Sequence, residues 1–362
     1  MTGKSTNPYS SLPPKAFWRS AVADAGIFGL RDLWSSPWTL PTDVRFATYG
    51  SCFAQHISRA LKARKMAWVD GEPAPVGTPP DLARDYNYGV FSARTANVYT
   101  AKQLHLLLQM TVGDAAADQP EIWETAGRYH DSLRPAIEPG GFQSHAEALC
   151  SRKAMLRGFR RSVELADVFV FTLGLTEGWE SSATGQPYAA CPGTMGGAFD
   201  PVAHRFVNYK SAAIRADMDS ALAILRRLNS GIRVLLTVSP VPLTATASGN
   251  HVLVATIYSK SVLRSVAGEM AADDPGVDYF PSYEIIAGAP ARAAFFEPNL
   301  RSVVPQGVDL VMGHFFAGLN LTGSAAHTSD TSAQDAETRI AAEMKSEELA
   351  CEDAMLEVFN AS

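Results

Sequence analysis

Short apolar runs alternate along the chain with longer stretches whose apolar residues recur every three or four positions. Residues 44–49 form an apolar run of strand length, 53–64 follow with helical periodicity, and 67–69 form a second short run. The same reading predicts helices at 101–110 and 147–165, a strand at 168–173 and a helix at 212–228. After these come a strand at 233–238, a helix at 259–271, a strand at 277–280 and a helix at 307–316. Runs that are apolar at successive positions suit strands buried on both faces, and the intervening helices supply the crossovers that parallel pairing requires. The expected fold is therefore α/β, three layers around a central five-stranded parallel sheet with the strand at 44–49 in its middle. Ligands of such sheets bind beyond the carboxyl ends of the strands. That rule directs attention to Gly50 to Cys52, residues 174–177, residues 239–251 and the segment from Pro281 onward.

The ends of the chain lack this alternation. Residues 1–42 hold five prolines and three of the six tryptophans, Trp18, Trp34 and Trp38, and read as an arm packed by its aromatics. The domain proper is expected to span 43–318, with insertions near 111–144 and 179–209 that exceed ordinary connections and emerge near the carboxyl edge. Residues 319–362 read as a polar linker and a charged helix over 332–359.

Composition narrows the function classes. Of 362 residues, 46% are apolar and 19% charged, as in an ordinary folded domain. Lys and Arg number 31 against 37 Asp and Glu, a net charge of -6 without any basic run, which argues against a nucleic-acid partner. Cys52, Cys150, Cys191 and Cys351 are scattered and form no CxxC pair, which favours a reducing compartment. The N-terminal segment has no apolar signal core, and the longest apolar stretch, 168–175, is far short of the ~18 residues of a membrane span. A cytoplasmic protein with no membrane span is expected.

The strongest chemical signal lies where the first strand runs into the first helix, at Tyr49-Gly50-Ser51-Cys52-Phe53-Ala54. A serine on such a turn presents its hydroxyl at the sheet edge beside a helix N-terminus, the position of a nucleophile. A bland alternative is that Ser51 only caps the helix. Cys52 offers a thiol in the same turn, though one residue round the helix and directed toward the sheet.

The stretch GSCFAQHISRAL resembles the signature of the GSCFA family, itself similar to the SGNH (GDSL-type) serine hydrolases with a flavodoxin-like sheet. NYGVFSA, NVYTAKQL, FVFTLGLTEGW, CPGTMGGAFD and YFPSYEI carry the resemblance onward in order. It implies Ser51 as nucleophile, Gly89 as a backbone oxyanion donor, and Thr176 where these enzymes place an asparagine donor. It also implies an Asp-x-x-His base pair, but the matching positions hold Asn299 and Ser302. Neither side chain takes up a proton near neutrality, so a base must come from elsewhere.

His251, in the loop after the strand at 233–238, is the first choice, and His130 beside Asp131 in RYHDSLRP the second. Glu177 and Trp179 follow the strand at 168–173 and are expected to line the substrate pocket, Trp179 as a platform for a sugar ring. Lys260, in Tyr258-Ser259-Lys260-Ser261, is expected at a helix start, binding an acidic group of the substrate. The resemblance thus implies an esterase or O-acyltransferase, of the kind that moves acetyl groups on glycans, needing no metal or organic cofactor. The rival is a glycan-binding or scaffold protein that keeps the sheet and has lost its base.

Overall fold

A computed structural model describes residues 7–322. The expected helix at 332–359 and Cys351 lie outside them. Four parallel strands form the central sheet, in the order β1 (Phe46–Gly50), β4 (Val168–Leu173), β8 (Arg233–Val238), β9 (Val277–Tyr279). Phe46 pairs with Val168, Val168 with Arg233 and Val234 with Val277.

Alternation along each strand divides the core into two. Ala47, Tyr49, Phe169, Phe171, Val234 and Leu236 face one side, packed by α3 (Ala101–Val112), α4 (His145–Leu165), α5 (Ser211–Leu228) and α6 (Val252–Asp273). Phe46, Val168, Val170 and Leu235 face the other, under α1 (Ala54–Ala63), α7 (Ser282–Ala287) and α8 (Pro305–Gly318). Helices on both faces are what buries strands that are apolar throughout. From the N-terminal arm, Trp34 stacks on Phe315 at 5.9 Å and donates its indole N–H to Asp278, and Trp38 donates to the Pro275 carbonyl. Trp18 is exposed.

The fifth expected strand does not form. Residues 67–69 make a single parallel bridge, Trp68 to Phe46, and the chain then leaves the sheet. The outer edge of β1 is shared among separate segments instead. The Phe46 N–H donates to Ala67, Thr48 exchanges hydrogen bonds with Ser92, and the Val98 N–H donates to the Gly50 carbonyl. The chain between these points is broken by Pro73, Pro75, Pro79 and Pro80, which cannot donate to a ladder. The strand that carries Ser51 is therefore the end strand of the four and not the central one.

Both insertions contain antiparallel pieces. The first holds the hairpin β2 (Ile122–Thr125) and β3 (Arg128–Asp131), preceded in the chain by the short α2 (Pro80–Asp85). The second holds a small sheet in the order β6 (Pro187–Tyr188), β5 (Glu177–Ser181), β7 (His204–Asn208). The hairpin supports that region, since the Ala189 N–H donates to the Ser132 carbonyl.

Gly50 closes β1 with φ +130, a conformation open to glycine and little else. A Cβ there would stand 2.6 Å from the Thr172 nitrogen and overlap the Thr172 carbonyl. Gly50→Ala is expected to destabilise the chain by about 2–4 kcal/mol, from backbone strain and overlap with β4 together. Urea unfolding of the variant checks this; a loss under ~1 kcal/mol would show that the turn relaxes without cost.

Candidate active site

The turn after β1 is built by the main chain. The Ser51 N–H donates to the Thr172 carbonyl at 3.0 Å, extending the β1–β4 ladder by one residue, and the Ala54 N–H donates to the Ser51 carbonyl at 2.9 Å. Helix α1 then starts without any side-chain cap, its N-cap position being Phe53. Ser51 is therefore not a capping residue. Its Oγ is closed to solvent and has no hydrogen-bond partner. A buried hydroxyl left unpaired costs roughly 1–3 kcal/mol, so folding stability alone gives no reason for it.

Ser51 lines a cavity of about 710 Å³. The walls come from the places the strand-end rule indicates: Ser51, Cys52 and Gln55 after β1, Gly174 and Leu175 after β4, and Ser239 with residues 241–247 after β8. Asn97 and Tyr99, Glu177, Trp179 and Phe206, residues 189–191, and Lys260 and Arg301 also line it.

A Cβ at Gly174 would stand 3.1 Å from the Ser51 Cβ and 3.0 Å from the Tyr99 carbonyl oxygen, a tight fit that glycine avoids. The Gly174 carbonyl accepts a hydrogen bond from Lys260 Nζ at 2.7 Å. Lys260 is 1% exposed. Burial lowers its pKa to about 7, the Cys52 thiol acting to raise it and the Arg301 guanidinium to lower it further.

Several expected site residues are placed otherwise. Thr176 is fully buried and donates its hydroxyl proton to Asn208 Oδ1 at 2.8 Å, while its N–H is bound by Ser259 Oγ. It does not line the cavity, nor does Gly89, whose carbonyl instead accepts from Lys62 Nζ. The two oxyanion donors that the resemblance implies are therefore not brought to the cavity wall beside Ser51. A threonine lacks the reach of an asparagine, and this one meets Asn208 first.

His251 is exposed and caps α6, its Nδ1 accepting from the Leu253 N–H at 3.2 Å. Helix α6 begins at Val252, earlier than expected, so the end of the loop is drawn into a cap. Its ring does not line the cavity. His130 lies on β3 against Gly141 and Gly196, with Nδ1 3.2 Å from the Pro135 carbonyl oxygen, and does not line it either.

Glu177, Trp179 and Lys260 do line it. Glu177 accepts from the Thr246 hydroxyl at 2.8 Å, and burial raises its pKa above the usual carboxylate value. Trp179 meets Phe199 and Phe206 edge-on at 5.3 and 5.7 Å. Lys260 sits within α6 and not at its start.

Asn299 and Ser302 form a turn in which Asn299 Oδ1 accepts from the N–H groups of Arg301 and Ser302. The segment that the resemblance expects to carry a base therefore presents Arg301 to the cavity. Asn97 is a further lining residue that motif reading passed over: its amide donates to the Tyr99 hydroxyl at 2.9 Å, and its Oδ1 is buried without a partner.

Among the described residues, no group of three or more His, Cys, Asp or Glu is placed to hold a metal ion, and no helix is long and apolar enough to cross a membrane. A comparison with curated proteins found no match. The family model described as GSCFA family matches residues 45–315, a span that takes in the Ser51 turn, the whole central sheet and every wall of the cavity. With three quarters of its length matched, the chain belongs to the GSCFA family.

Proposed function

We propose that this chain is a serine esterase or O-acyltransferase that carries an acyl group, most simply acetyl, on Ser51. The acceptor or donor is a carbohydrate or a related small hydroxyl compound. The observation that carries the reading is the Ser51 hydroxyl, buried and unpaired on the wall of a 710 Å³ cavity beyond the carboxyl end of β1. The likeness of the GSCFA turn to that of SGNH hydrolases supports the same role. Ser51 Oγ would attack the acyl carbonyl carbon, forming a C–O bond as the carbonyl π electrons move to oxygen. The Asn97 amide and the Arg301 guanidinium, both on the cavity wall, are the side chains we assign to an oxyanion in place of Gly89 and Thr176. Trp179 and Glu177 suit a sugar, one by its aromatic face and the other by accepting from ring hydroxyls.

A second reading rests on Cys52, which is half-buried, lines the same cavity and acts electrostatically on Lys260. Its thiol is the competing nucleophile on that wall. The binding-protein reading keeps its support in Asn299 and Ser302.

Mixing the protein with p-nitrophenyl acetate separates the three. The serine reading expects a burst of p-nitrophenol and an acetyl group on Ser51, lost in Ser51→Ala and kept in Cys52→Ala. Loss only in Cys52→Ala selects the thiol, and saturable sugar binding without any burst selects the binding protein.

A further inference from the structure

We propose that Lys260 is the general base and acid of the reaction at Ser51, so that a serine and a lysine take the place of a serine, a histidine and a carboxylate. The inference rests on the reading of Ser51 as nucleophile.

The geometry brings both side chains to one residue. Lys260 Nζ sits 2.7 Å from the Gly174 carbonyl oxygen, and the Ser51 Cβ lies 3.1 Å from where a Gly174 Cβ would stand. Both side chains line the same cavity. The absence of a partner on Ser51 Oγ means the two are not hydrogen-bonded in this state, so a rotation of the serine hydroxyl accompanies substrate binding.

The surroundings leave few other bases. Among the described residues that line the cavity, none is a histidine. Glu177 is engaged by the Thr246 hydroxyl and the Ala247 N–H, and Asp85 is exposed. Around Lys260, the groups that act on its charge are Cys52, from the turn before α1, and Arg301, from the loop before α8. The elements packed against α6, namely α5, β8 and β9, contribute no group that acts on the Lys260 charge. No carboxylate is among the groups that act on the Lys260 charge, and a buried ammonium without one is costly. The neutral amine is therefore populated near pH 7. In that form Nζ donates one proton to the Gly174 carbonyl and keeps a lone pair.

The step balances on this one group. The Nζ lone pair takes the Ser51 hydroxyl proton while Oγ bonds to the acyl carbon. The tetrahedral intermediate then expels the leaving alcohol or sugar oxygen, which receives that proton from the Lys260 ammonium. A second hydroxyl, from water or an acceptor sugar, gives its proton to the neutral amine and attacks the acyl-serine. When the acyl C–O bond to Ser51 breaks, Oγ recovers the proton. Arginine holds its proton too firmly for this exchange, so Lys260→Arg keeps the charge and loses the function.

The test is the rate at which a fluorophosphonate labels Ser51, followed by mass spectrometry across pH 5–9 in wild type, Lys260→Met and Lys260→Arg. The wild-type rate should rise with pH through an inflection near 7. Both variants should be slower by about 100- to 10,000-fold and lose that inflection while keeping the wild-type circular dichroism. A lysine that merely tied down Gly174 would not set the inflection. Should the methionine variant fail to fold, the arginine variant and the wild-type profile decide. Labelling of Lys260→Met within about threefold of wild type with the inflection intact would overturn the assignment. Loss of the inflection in His251→Ala but not in Lys260→Met would do the same. No labelling of wild-type Ser51 would instead remove the nucleophile reading, and this assignment with it.

Discussion

Replacing Ser51 with alanine is expected to lower acyl transfer by about four to six orders of magnitude and to leave the chain at least as stable as before. The first half follows from the proposed role of Ser51 as nucleophile, since without Oγ no acyl-enzyme would form and only whatever donors line the cavity would remain to assist water. The second half follows from the hydroxyl's surroundings. Ser51 Oγ is buried and accepts or donates no hydrogen bond, so its removal relieves a desolvation cost of roughly 1–3 kcal/mol and breaks no hydrogen bond. A thermal midpoint unchanged or raised by a few degrees is the expected outcome. A drop of several degrees would mean that Ser51 is a structural residue whose partner forms only in solution.

The largest stability effect is expected at Asp131, where Asp131→Ala should cost about 3–5 kcal/mol. The carboxylate is fully buried and accepts from Arg152 Nε at 3.0 Å, from Arg134 Nε at 2.8 Å and from the Leu133 N–H at 3.1 Å. Both guanidiniums are themselves fully buried, so removing the carboxylate leaves two uncompensated cations inside the protein. Burial alone would raise the Asp131 pKa, but Arg152 and Arg134 outweigh it and hold the carboxyl at about 2. A carboxyl depressed in the folded state contributes stability above its unfolded pKa near 4, and loses it as pH falls toward 2. That contribution is about 2 kcal/mol, and its loss should appear as a wild-type decline in stability over pH 4 to 2 that Asp131→Asn lacks. Urea unfolding of both proteins measures it, and a variant loss below ~1 kcal/mol would show that the arginines find other partners. Function should suffer as well, because Ser132 on the same turn accepts from Ala189, at the start of the cavity wall formed by residues 189–191.

Parts of the fold that rest on continuous burial were legible from the chain. The runs at 168–173 and 233–238 coincide with β4 and β8 to the residue, because strands covered on both faces are apolar at nearly every position, here all but Thr172, Arg233 and Thr237. Residues 67–69 carry the same signature over too short a length, and the prolines that follow turn a strand into a single bridge. The start of α6 was hidden for a different reason. Leu253, Val254, Ile257 and Tyr258 are all more than 40% exposed, so the apolar residues of the first turns do not mark the buried face.

The site divides along the same line. The place of Ser51 at the sheet edge was legible because its turn is local, set by Gly50 and the ladder to Thr172. The expectation for His251 followed correctly from strand order to a loop that does line the cavity, but the last residue of that loop is used to cap α6. Motif reading makes Lys260 a ligand for an acidic group, although the sequence carries a stronger signal. Thr256, Ser259, Leu263, Val266, Ala267 and Met270 mark the buried stripe of α6, and Lys260 falls within it. A lysine at a core phase of a helix is one the fold must either neutralise or use.

The central claim, that Ser51 is an activated nucleophile, is tested most directly by locating the covalent adduct left by a fluorophosphonate. Digestion and mass spectrometry of the wild-type protein should place one phosphonyl group on Ser51, in the peptide containing Gly50-Ser51-Cys52, with no adduct in Ser51→Ala. An unmodified Ser51 in wild type, or an adduct that persists elsewhere in the alanine variant, would contradict the account.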